Sequence, residues 1–369
     1  MIYFDNAATT TCTGSPQISH NPSSPHALGI SAERALRDAR NTIAEALRLA
    51  NKPASSKKPV STSSLPSPEE IIFTSGGTES NNLAILGYAI AHQRHGINLF
   101  SSPYEHPSIL APIKFANERG WAYKNPDIYP SFVSISHVNH ETGDINDISV
   151  IAAGYKINNP NTVIHVDGAQ GFCKELVNLH DVDLYTFSGH KCHGPTGAGG
   201  LWVKKGIRLT PLQHGGGQEG GMRSGTENVT GIVQMADAVR LLSQNLDANR
   251  THVAALKAAI LNLQDALPDI TVNALSTDVS PYILNMSFLG VKGEVLVHAL
   301  SEKGVYASMG AACNSRKSAG STLELMGFSP EIAGSAIRFS FSPYNTPAEA
   351  AQAHDIIADT VRQLRKYMR

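Results

Sequence analysis

The sequence predicts an α/β fold, with a large domain built on a mostly parallel sheet and a smaller α+β domain at the C-terminal end. Three observations lead to this prediction. Short apolar runs alternate with helical patterns through the first two thirds of the chain. Glycine-rich and polar motifs follow the ends of these runs, where parallel sheets gather their chemistry. After about Leu242 the pattern changes to longer helices with fewer strands. We therefore expect a large domain over 15–245 and a small domain formed by 1–14 and 246–369.

The apolar runs predict five buried strands in the large domain, at residues 69–74, 131–136, 162–166, 184–187 and 200–203. A helical pattern follows the first of them as far as Ile90, and another covers 147–157. For the small domain we predict, in order, a helix at 248–266, strands at 269–272 and 283–288, a helix at 293–303, a strand at 337–340 and a helix from 346. Residues 51–68 are rich in Ser, Pro and Lys, which predicts a solvated, mobile loop.

Composition excludes several classes of protein. The chain has 369 residues, a net charge of −1 and 17% charged residues, so it offers no basic surface for nucleic acid or anionic membranes. No apolar run approaches membrane-spanning length, and the first residues lack the pattern of a signal peptide. The four cysteines are scattered, with no C-x-x-C pair for a metal. We therefore expect a cytoplasmic enzyme with reduced cysteines and no metal site.

An acid and a lysine follow two of the predicted strands. Asp167 ends the run at 162–166, and Lys191 follows the run at 184–187 within Ser188-Gly189-His190-Lys191. Pyridoxal 5'-phosphate (PLP) needs this pair: a lysine that binds its aldehyde covalently, and a carboxylate that keeps its pyridine nitrogen protonated. Taken singly, Asp167 also fits a helix cap and Lys191 a surface lysine. Together they predict a PLP site.

Two glycine-rich segments are candidates for the phosphate of this cofactor. Ser75-Gly76-Gly77-Thr78 joins a strand end to a helix start, where free N–H groups and positive potential favour anions. Ser188 and His190 flank the lysine and can add donors. The second segment, from Gly215 to Thr226, offers similar backbone and hydroxyl groups, although it also fits a plain flexible loop.

These motifs resemble those of the cysteine desulfurases, a branch of the class-V aminotransferases. The segments that carry the resemblance are residues 3–10, 21–24, 73–82, 165–170, 187–191, 215–219, 222–228 and 337–340. Because they extend nearly end to end, they are specific as a set. The resemblance implies the fold-type-I architecture of PLP-dependent transferases, with a mostly parallel seven-stranded sheet, and a homodimer.

The resemblance also implies a role for each matching residue. Lys191 binds the aldehyde and then acts as a base, Asp167 pairs with the pyridine nitrogen, and Gln170 donates to the phenolic oxygen. His106 stacks on the cofactor ring and is the third catalytic residue beside Lys191 and Cys313. The phosphate ligands are Gly77, Thr78, Ser188, His190 and, from a second subunit, Thr226. The substrate carboxylate is bound by Arg338 and Asn21, a task that suits a guanidinium fork.

Cys313 occupies the position of the family's sulfur-accepting cysteine. Its neighbours are Gly, Ala, Ser and Asn, and Arg316 and Lys317 follow. Polar surroundings close to positive charge favour the thiolate, whereas an inert buried cysteine would have larger apolar neighbours. Cys192 is a rival because it directly follows Lys191, but a strand end gives it little reach.

His140 departs from the family pattern. In Val138-Asn139-His140-Glu141 the family usually has a second asparagine, whose amide donates to the phenolic oxygen of the cofactor. A neutral imidazole can make the same hydrogen bond, whereas a protonated one would change the pKa of the bound cofactor. We therefore count His140 among the cofactor-binding residues.

The sequence is thus interpreted as a PLP-dependent cysteine desulfurase that converts L-cysteine to L-alanine and holds the sulfur on Cys313 as a persulfide. A scaffold protein for iron–sulfur clusters or a thiolation enzyme would then accept the sulfur. The alternatives are a selenocysteine lyase or related lyase, and a weakly active PLP-binding scaffold. Ordinary transamination would leave Cys313 without a task.

Overall fold

A computed structural model describes residues 1–12, 20–51, 65–123, 128–309 and 321–367 of the chain. The chain forms two compact units. The larger unit consists of Thr11–His137 and Asn146–Gln244. The smaller unit combines Met1–Thr10, Val138–Ile145 and Asn245–Arg369, so three separate segments of the chain build it. Most of the predicted loop at 51–68 lies outside the described residues, as does Cys313.

The described residues contain strands and helices in a largely alternating order. The strands are β1 (Ile2–Tyr3), β2 (Ile71–Thr74), β3 (Leu99–Ser101), β4 (Phe132–Ser136), β5 (Val163–Asp167), β6 (Leu184–Ser188), β7 (Gly199–Val203), β8 (Ile270–Val272), β9 (Ile283–Phe288), β10 (Val305–Tyr306) and β11 (Ala336–Ser340). The helices are α1 (Ala27–Ala50), α2 (Gly77–His92), α3 (Pro107–Glu118), α4 (Ile148–Asn158), α5 (Val229–Gln244), α6 (Leu246–Leu261), α7 (Leu263–Ala266), α8 (Gly293–Glu302), α9 (Thr322–Leu325), α10 (Pro330–Gly334) and α11 (Pro347–Tyr367). None of these helices, within the part of the chain that the structure describes, is long and apolar enough to cross a membrane.

The larger unit is built on a mixed, mostly parallel sheet. Its strand order is β2-β7-β6-β5-β4-β3, in which β3 to β6 run parallel and β7 runs antiparallel to both of its neighbours. All five predicted strands are present, which confirms the predicted α/β class. The described residues form six strands rather than the seven expected. β3 is an edge strand of this sheet; beside it the N–H of Tyr123 donates to the carbonyl oxygen of Ile97, and residues 124–127 lie outside the described residues.

Helices cover both faces of this sheet, which explains why its strands are apolar throughout. Along β2, Ile71 and Phe73 belong to one core with α1, α4 and α5, while Ile72 belongs to a second core with α2 and α3. Parallel strands buried on both faces read as continuous apolar runs rather than alternating ones. This is the signal that made the strands visible in the sequence.

The smaller unit contains the antiparallel sheet β11-β9-β8 and a parallel pair of β1 with β10. Its core combines Phe4 near the N-terminus with residues from β9, β11, α6, α8 and α11. The single helix predicted at 248–266 is two helices, α6 and α7. They separate at Asn262, whose N–H is shared between the carbonyl oxygens of Ala258 and Ile260.

Candidate active site

Two adjacent parallel strands of the larger unit, β5 and β6, end at one edge of the sheet, and each delivers polar groups there. Asp167 is the last residue of β5, and Ser188 is the last residue of the neighbouring β6. The short turn Gly189–Lys191 follows β6 directly and carries Lys191. Asp167 and Lys191 therefore lie at or directly after the carboxyl ends of adjacent strands, which is where open parallel sheets bind their ligands.

Asp167 is buried and held by two neutral donors. One carboxylate oxygen, Oδ2, accepts a hydrogen bond from Asn81 Nδ2 at 2.8 Å. The other, Oδ1, accepts from the backbone N–H of Ala169 at 2.9 Å. These two bonds fix the plane of the carboxylate, and no cationic side chain of the described residues forms an ion pair with either oxygen.

The start of α2 forms a narrow turn beside Ser188. Gly76 has φ of +153°, a conformation that favours glycine, and a Cβ at Gly199 would lie only 2.6 Å from the Cα of Gly76; a Cβ at Gly77 would be in ordinary contact with Ser188 at 3.5 Å. Ser188 Oγ is buried and has no hydrogen-bond partner among the described residues. The N-terminus of α2, with Thr78 in its first turn, thus faces an unsatisfied hydroxyl group.

The residues around Lys191 show how burial sets the local charge. Burial, and then the charge of Lys191, lowers the pKa of His190 to about 4, so this histidine is neutral at pH 7. Burial also lowers the pKa of Lys174 to about 8. Cys192 is buried, donates its S–H toward the carbonyl oxygens of Ser188 and Gly189, and has a pKa raised to about 12 by that burial. Cys192 is therefore a thiol, not a thiolate.

The second glycine segment is tied to the start of α2 by a salt bridge. Arg223 Nε lies 3.0 Å from Glu79 Oε1, and the other oxygen of Glu79 accepts from the N–H of Ser75. Thr226, three residues after Arg223, is exposed.

Gln170 and Asn21 are also predicted to belong to the site. Gln170 is buried and follows Asp167 by three residues in the chain. Asn21 lies on an exposed turn, where its Oδ1 accepts a hydrogen bond from the N–H of Ser23.

His106 caps the N-terminus of α3 with its ring. Its Nδ1 accepts a hydrogen bond from the N–H of Ser108 at 3.1 Å and lies 2.7 Å from Ser108 Oγ. The ring itself is exposed, whereas Ser108 is buried. Ser108 Oγ in turn accepts from Asn81 Nδ2 at 2.9 Å, which connects His106 to the residue that holds Asp167.

Glu105 adds a second buried carboxylate to this edge of the sheet. Its Oε2 accepts a hydrogen bond from the N–H of Ser136, the last residue of β4, at 3.0 Å. Burial, and to a lesser extent the charge of Asp167, raises the pKa of Glu105 to about 7. The acid next to His106 in the sequence therefore titrates near neutral pH.

The smaller unit holds Arg338 among carboxylates. This arginine is 6% exposed on β11, and its Nη1 donates to the carbonyl oxygen of His140 at 2.8 Å. Glu141 Oε1 and Asp5 Oδ1 each lie 3.6 Å from its nitrogens, which is longer than a hydrogen bond. Arg338 Nε is buried and has no hydrogen-bond partner among the described residues. The guanidinium is thus charge-compensated but not saturated with acceptors.

His140 also belongs to the smaller unit. Its Nε2 lies 3.6 Å from Glu141 Oε1, and its carbonyl oxygen accepts the short bond from Arg338. The structure therefore brings His140, Glu141 and Arg338 together. In the larger unit, hydrogen bonds through Asn81 and Ser108 connect Asp167 with His106, while Lys191, Ser188 and Thr78 belong to the same unit.

Sequence reasoning missed Asn81, Ser108, Glu105 and Glu141. Asn81 follows Thr78 by about one helical turn and is a buried polar residue on a largely apolar helix, which is the signal that could have found it. Glu105 and Ser108 flank His106 closely, but no spacing rule distinguishes them from surface residues.

Known proteins resemble this chain over nearly its whole length. A family model described as aminotransferase class V matches residues 2–124 and 127–352. The chain is 38% identical to a NifS/IcsS protein homolog of Lactobacillus delbrueckii subsp. bulgaricus, over 95% of this chain and 94% of that protein. It is 35% identical to the protein named cysteine desulfurase IscS of Pseudomonas savastanoi pv. phaseolicola, over 99% of this chain and 93% of that protein. The solved structure of a NifS-like protein superposes on this chain with a TM-score of 0.85 and 30% sequence identity. The superposition includes 98% of this chain and 99% of the NifS-like protein.

Proposed function

The chain belongs to the class-V aminotransferase family, and we infer from its near full-length similarity to proteins named cysteine desulfurase that it is a cysteine desulfurase. Such an enzyme converts L-cysteine into L-alanine and takes up the sulfur. The class-V aminotransferase family implies PLP as cofactor, and the relatives named cysteine desulfurase imply L-cysteine as substrate.

We propose that the larger unit binds PLP at the edge formed by β5, β6 and the start of α2. The observation that carries this proposal is the buried, unpartnered Ser188 Oγ at the N-terminus of α2, a donor group placed where a phosphate would also meet free N–H groups. Thr78, His190 and the backbone at Gly77 would complete the phosphate ligands from this subunit. Thr226, which is exposed, would serve the phosphate of a second subunit, so we propose a homodimer.

Asp167 and Lys191 would serve the reactive part of the cofactor. Asp167 is oriented by neutral donors, so its negative charge is available to a protonated pyridine nitrogen. Bound PLP supplies an electron sink for the charge left when the α-proton of the substrate is removed. Lys191 would attach the cofactor and then remove that proton, His106 would cover the ring, and Gln170 and His140 would donate to its phenolic oxygen.

Arg338 would bind the carboxylate of L-cysteine, together with Asn21. The unpartnered Nε and the two ion pairs at 3.6 Å support this role, because they leave N–H groups that an incoming carboxylate can accept from. A lysine could not offer the same planar pair of donors.

Cys313 would accept the sulfur. Its segment lies outside the described residues, but Ser308, five residues before it, pairs through its backbone with Arg338, so the chain ties this cysteine to the strand of the proposed substrate residue. The burial and raised pKa of Cys192 argue against the rival. In the proposed step the Cys313 thiolate attacks the substrate sulfur, the carbon–sulfur bond breaks, and the carbon takes up a proton. The enzyme then holds a persulfide, and alanine leaves.

We propose that the persulfide passes to an acceptor protein, either a scaffold for iron–sulfur clusters or a thiolation enzyme. A cysteine desulfurase releases its sulfur to another protein or to a reductant, since the persulfide blocks the next turnover.

The test compares alanine formation from L-cysteine, with a reductant present, in the wild type, Cys313→Ala and Cys12→Ala. Cys12 is the exposed cysteine of the described residues and serves as the matched control. We expect Cys313→Ala to keep the absorbance of bound PLP and to lose alanine formation by about 10³-fold or more, while Cys12→Ala behaves as the wild type.

Two outcomes would contradict the proposal. Full alanine formation by Cys313→Ala would remove Cys313 from the reaction. A wild type that binds PLP and turns over selenocysteine but not cysteine would indicate the lyase alternative instead.

A further inference from the structure

A continuous chain of hydrogen bonds runs from Asp167 to His106 in the larger unit. Asn81 Nδ2 donates to Asp167 Oδ2 at 2.8 Å and to Ser108 Oγ at 2.9 Å. Ser108 then contacts His106 Nδ1 twice, through Oγ at 2.7 Å and through its N–H at 3.1 Å. Asn81 and Ser108 are both buried, so water does not compete for these bonds.

The chemistry of the groups fixes the direction of each bond. An ionised carboxylate only accepts, so Asn81 must turn its NH₂ group toward Asp167. Both N–H bonds of that group are used, and Asn81 Oδ1 is left buried without a partner among the described residues. Ser108 Oγ accepts from Asn81, so its own hydrogen points to His106. Nδ1 of His106 therefore receives two donors and cannot carry a proton itself.

We propose that Asn81 and Ser108 are positioning residues. They fix the ring proton of His106 on Nε2, and they prevent proton transfer between His106 and Asp167. An amide does not pass a proton along as a hydroxyl or an imidazole does, so Asn81 interrupts the chain as a proton path. His106 then acts through Nε2 as a donor, and Asp167 keeps its charge for the group that it faces. The identity of the group that accepts a hydrogen bond from His106 Nε2 rests on the proposed function, whereas the tautomer of His106 does not.

The experiment records long-range ¹H–¹⁵N correlations of histidine side chains in the ¹⁵N-histidine-labelled holoenzyme near pH 8, where an ordinary imidazole is neutral. The two neutral tautomers give different correlation patterns, and His106→Gln identifies the signals of His106 by their loss. We expect His106 to carry its proton on Nε2, with the Nδ1 resonance displaced in the direction caused by an accepted hydrogen bond.

Ser108→Ala removes the hydroxyl donor and leaves the backbone donor. We expect the ratio of Nε2–H to Nδ1–H tautomer to fall by up to about tenfold, and the Nδ1 resonance to move toward that of an unbonded nitrogen. Ser108→Thr should restore the wild-type signals. Ser149→Ala is the matched control, because Ser149 holds the same position on α4 and its Oγ donates to the N-cap Asp147 at 2.7 Å. It should leave the signals of His106 unchanged.

A proton on Nδ1 in the wild type, or an unchanged Nδ1 resonance in folded Ser108→Ala, would overturn the proposal. If Ser108→Ala does not fold, the wild-type spectrum decides, with Ser108→Thr as the second variant. Turnover of L-cysteine is measured on the same samples. A wild type without turnover that still shows the Nε2–H tautomer and its response to Ser108→Ala would contradict the proposed function and support the positioning role.

Discussion

Asp167 in the larger unit and Arg338 in the smaller unit are both buried charges, but the protein holds them in opposite ways. Asp167 is 7% exposed and receives hydrogen bonds from two neutral groups, while its neighbour Glu105 carries a charge of the same sign when it is ionised. Arg338 is 6% exposed and has two carboxylates at 3.6 Å, yet its Nε makes no hydrogen bond within the described residues.

The difference shows two ways in which a protein can keep a buried charged side chain able to bind a ligand. Neutral donors orient a carboxylate without cancelling its charge, so Asp167 remains attractive to a cation such as a protonated ring nitrogen. Long ion pairs compensate a buried arginine without using all of its N–H groups, so Arg338 remains able to bind a carboxylate. Three substitutions test this contrast.

Asp167→Asn should have the largest effect. The amide keeps the shape of the side chain but removes the negative charge, so we expect cysteine turnover to fall by about 10³-fold or more, equivalent to about 4 kcal/mol. Steady-state alanine formation measures it. Asp183→Asn is the matched control: Asp183 is a buried acid just before β6, paired with Lys156, and its substitution should affect stability rather than turnover. Equal losses in both variants would contradict a special role for the charge of Asp167.

Arg338→Lys should have the next largest effect. The variant keeps the charge beside Glu141 and Asp5 but loses the planar donor pair, so kcat/KM for L-cysteine should fall about 10²-fold, mainly through KM. Arg365→Lys is the control in the same unit, because Arg365 donates to the backbone carbonyl groups of Leu289, Pro268 and Asp269. A value of kcat/KM within about threefold of the wild type would remove Arg338 from substrate binding.

Glu105→Gln should change the free energy of unfolding, by an amount that depends on pH. The carboxyl releases its proton near pH 4.5 when unfolded but near pH 7 in the folded protein. Between these values the folded state binds more protons, so a rising pH lowers the free energy of unfolding. At pH 8 the free energy of unfolding of the wild type is lowered by the full amount. Glu105→Gln should therefore be more stable than the wild type at this pH by up to about 3 kcal/mol. At pH 4.5 the two should be nearly equal.

Urea unfolding of the cofactor-free protein at both pH values measures this difference. Glu79→Gln is a control of opposite sign. Burial alone would raise the pKa of Glu79, but hydrogen bonds from Ser75 and the pair with Arg223 outweigh it and lower the pKa, so this variant should lose stability at pH 8. A stability difference for Glu105→Gln that is the same at pH 4.5 and pH 8 would mean that Glu105 does not titrate as described.

Much of this arrangement is visible in the sequence, for identifiable reasons. The strands β2, β4, β5, β6 and β7 are buried on both faces and read as apolar runs, so their ends locate Asp167 and Lys191. The sequence does not reveal β3, which has three residues and an exposed Phe100. It also does not reveal the contact of Asn81 with Ser108, because these residues are 27 positions apart on different helices and only the packing of α2 against α3 joins them.

The pairing of β1 with β10 has a consequence for biosynthesis. Ile2 and Tyr3 pair with residues about 300 positions later in the chain, and Phe4 is fully buried in the core of the smaller unit. At a translation rate of about 5–20 residues per second, the first strand waits on the order of 15–60 s before its partner leaves the ribosome. The larger unit, complete at Gln244, can fold during that interval. β1 therefore stays without its partner strand while most of the described chain is made, and the smaller unit is the last to fold.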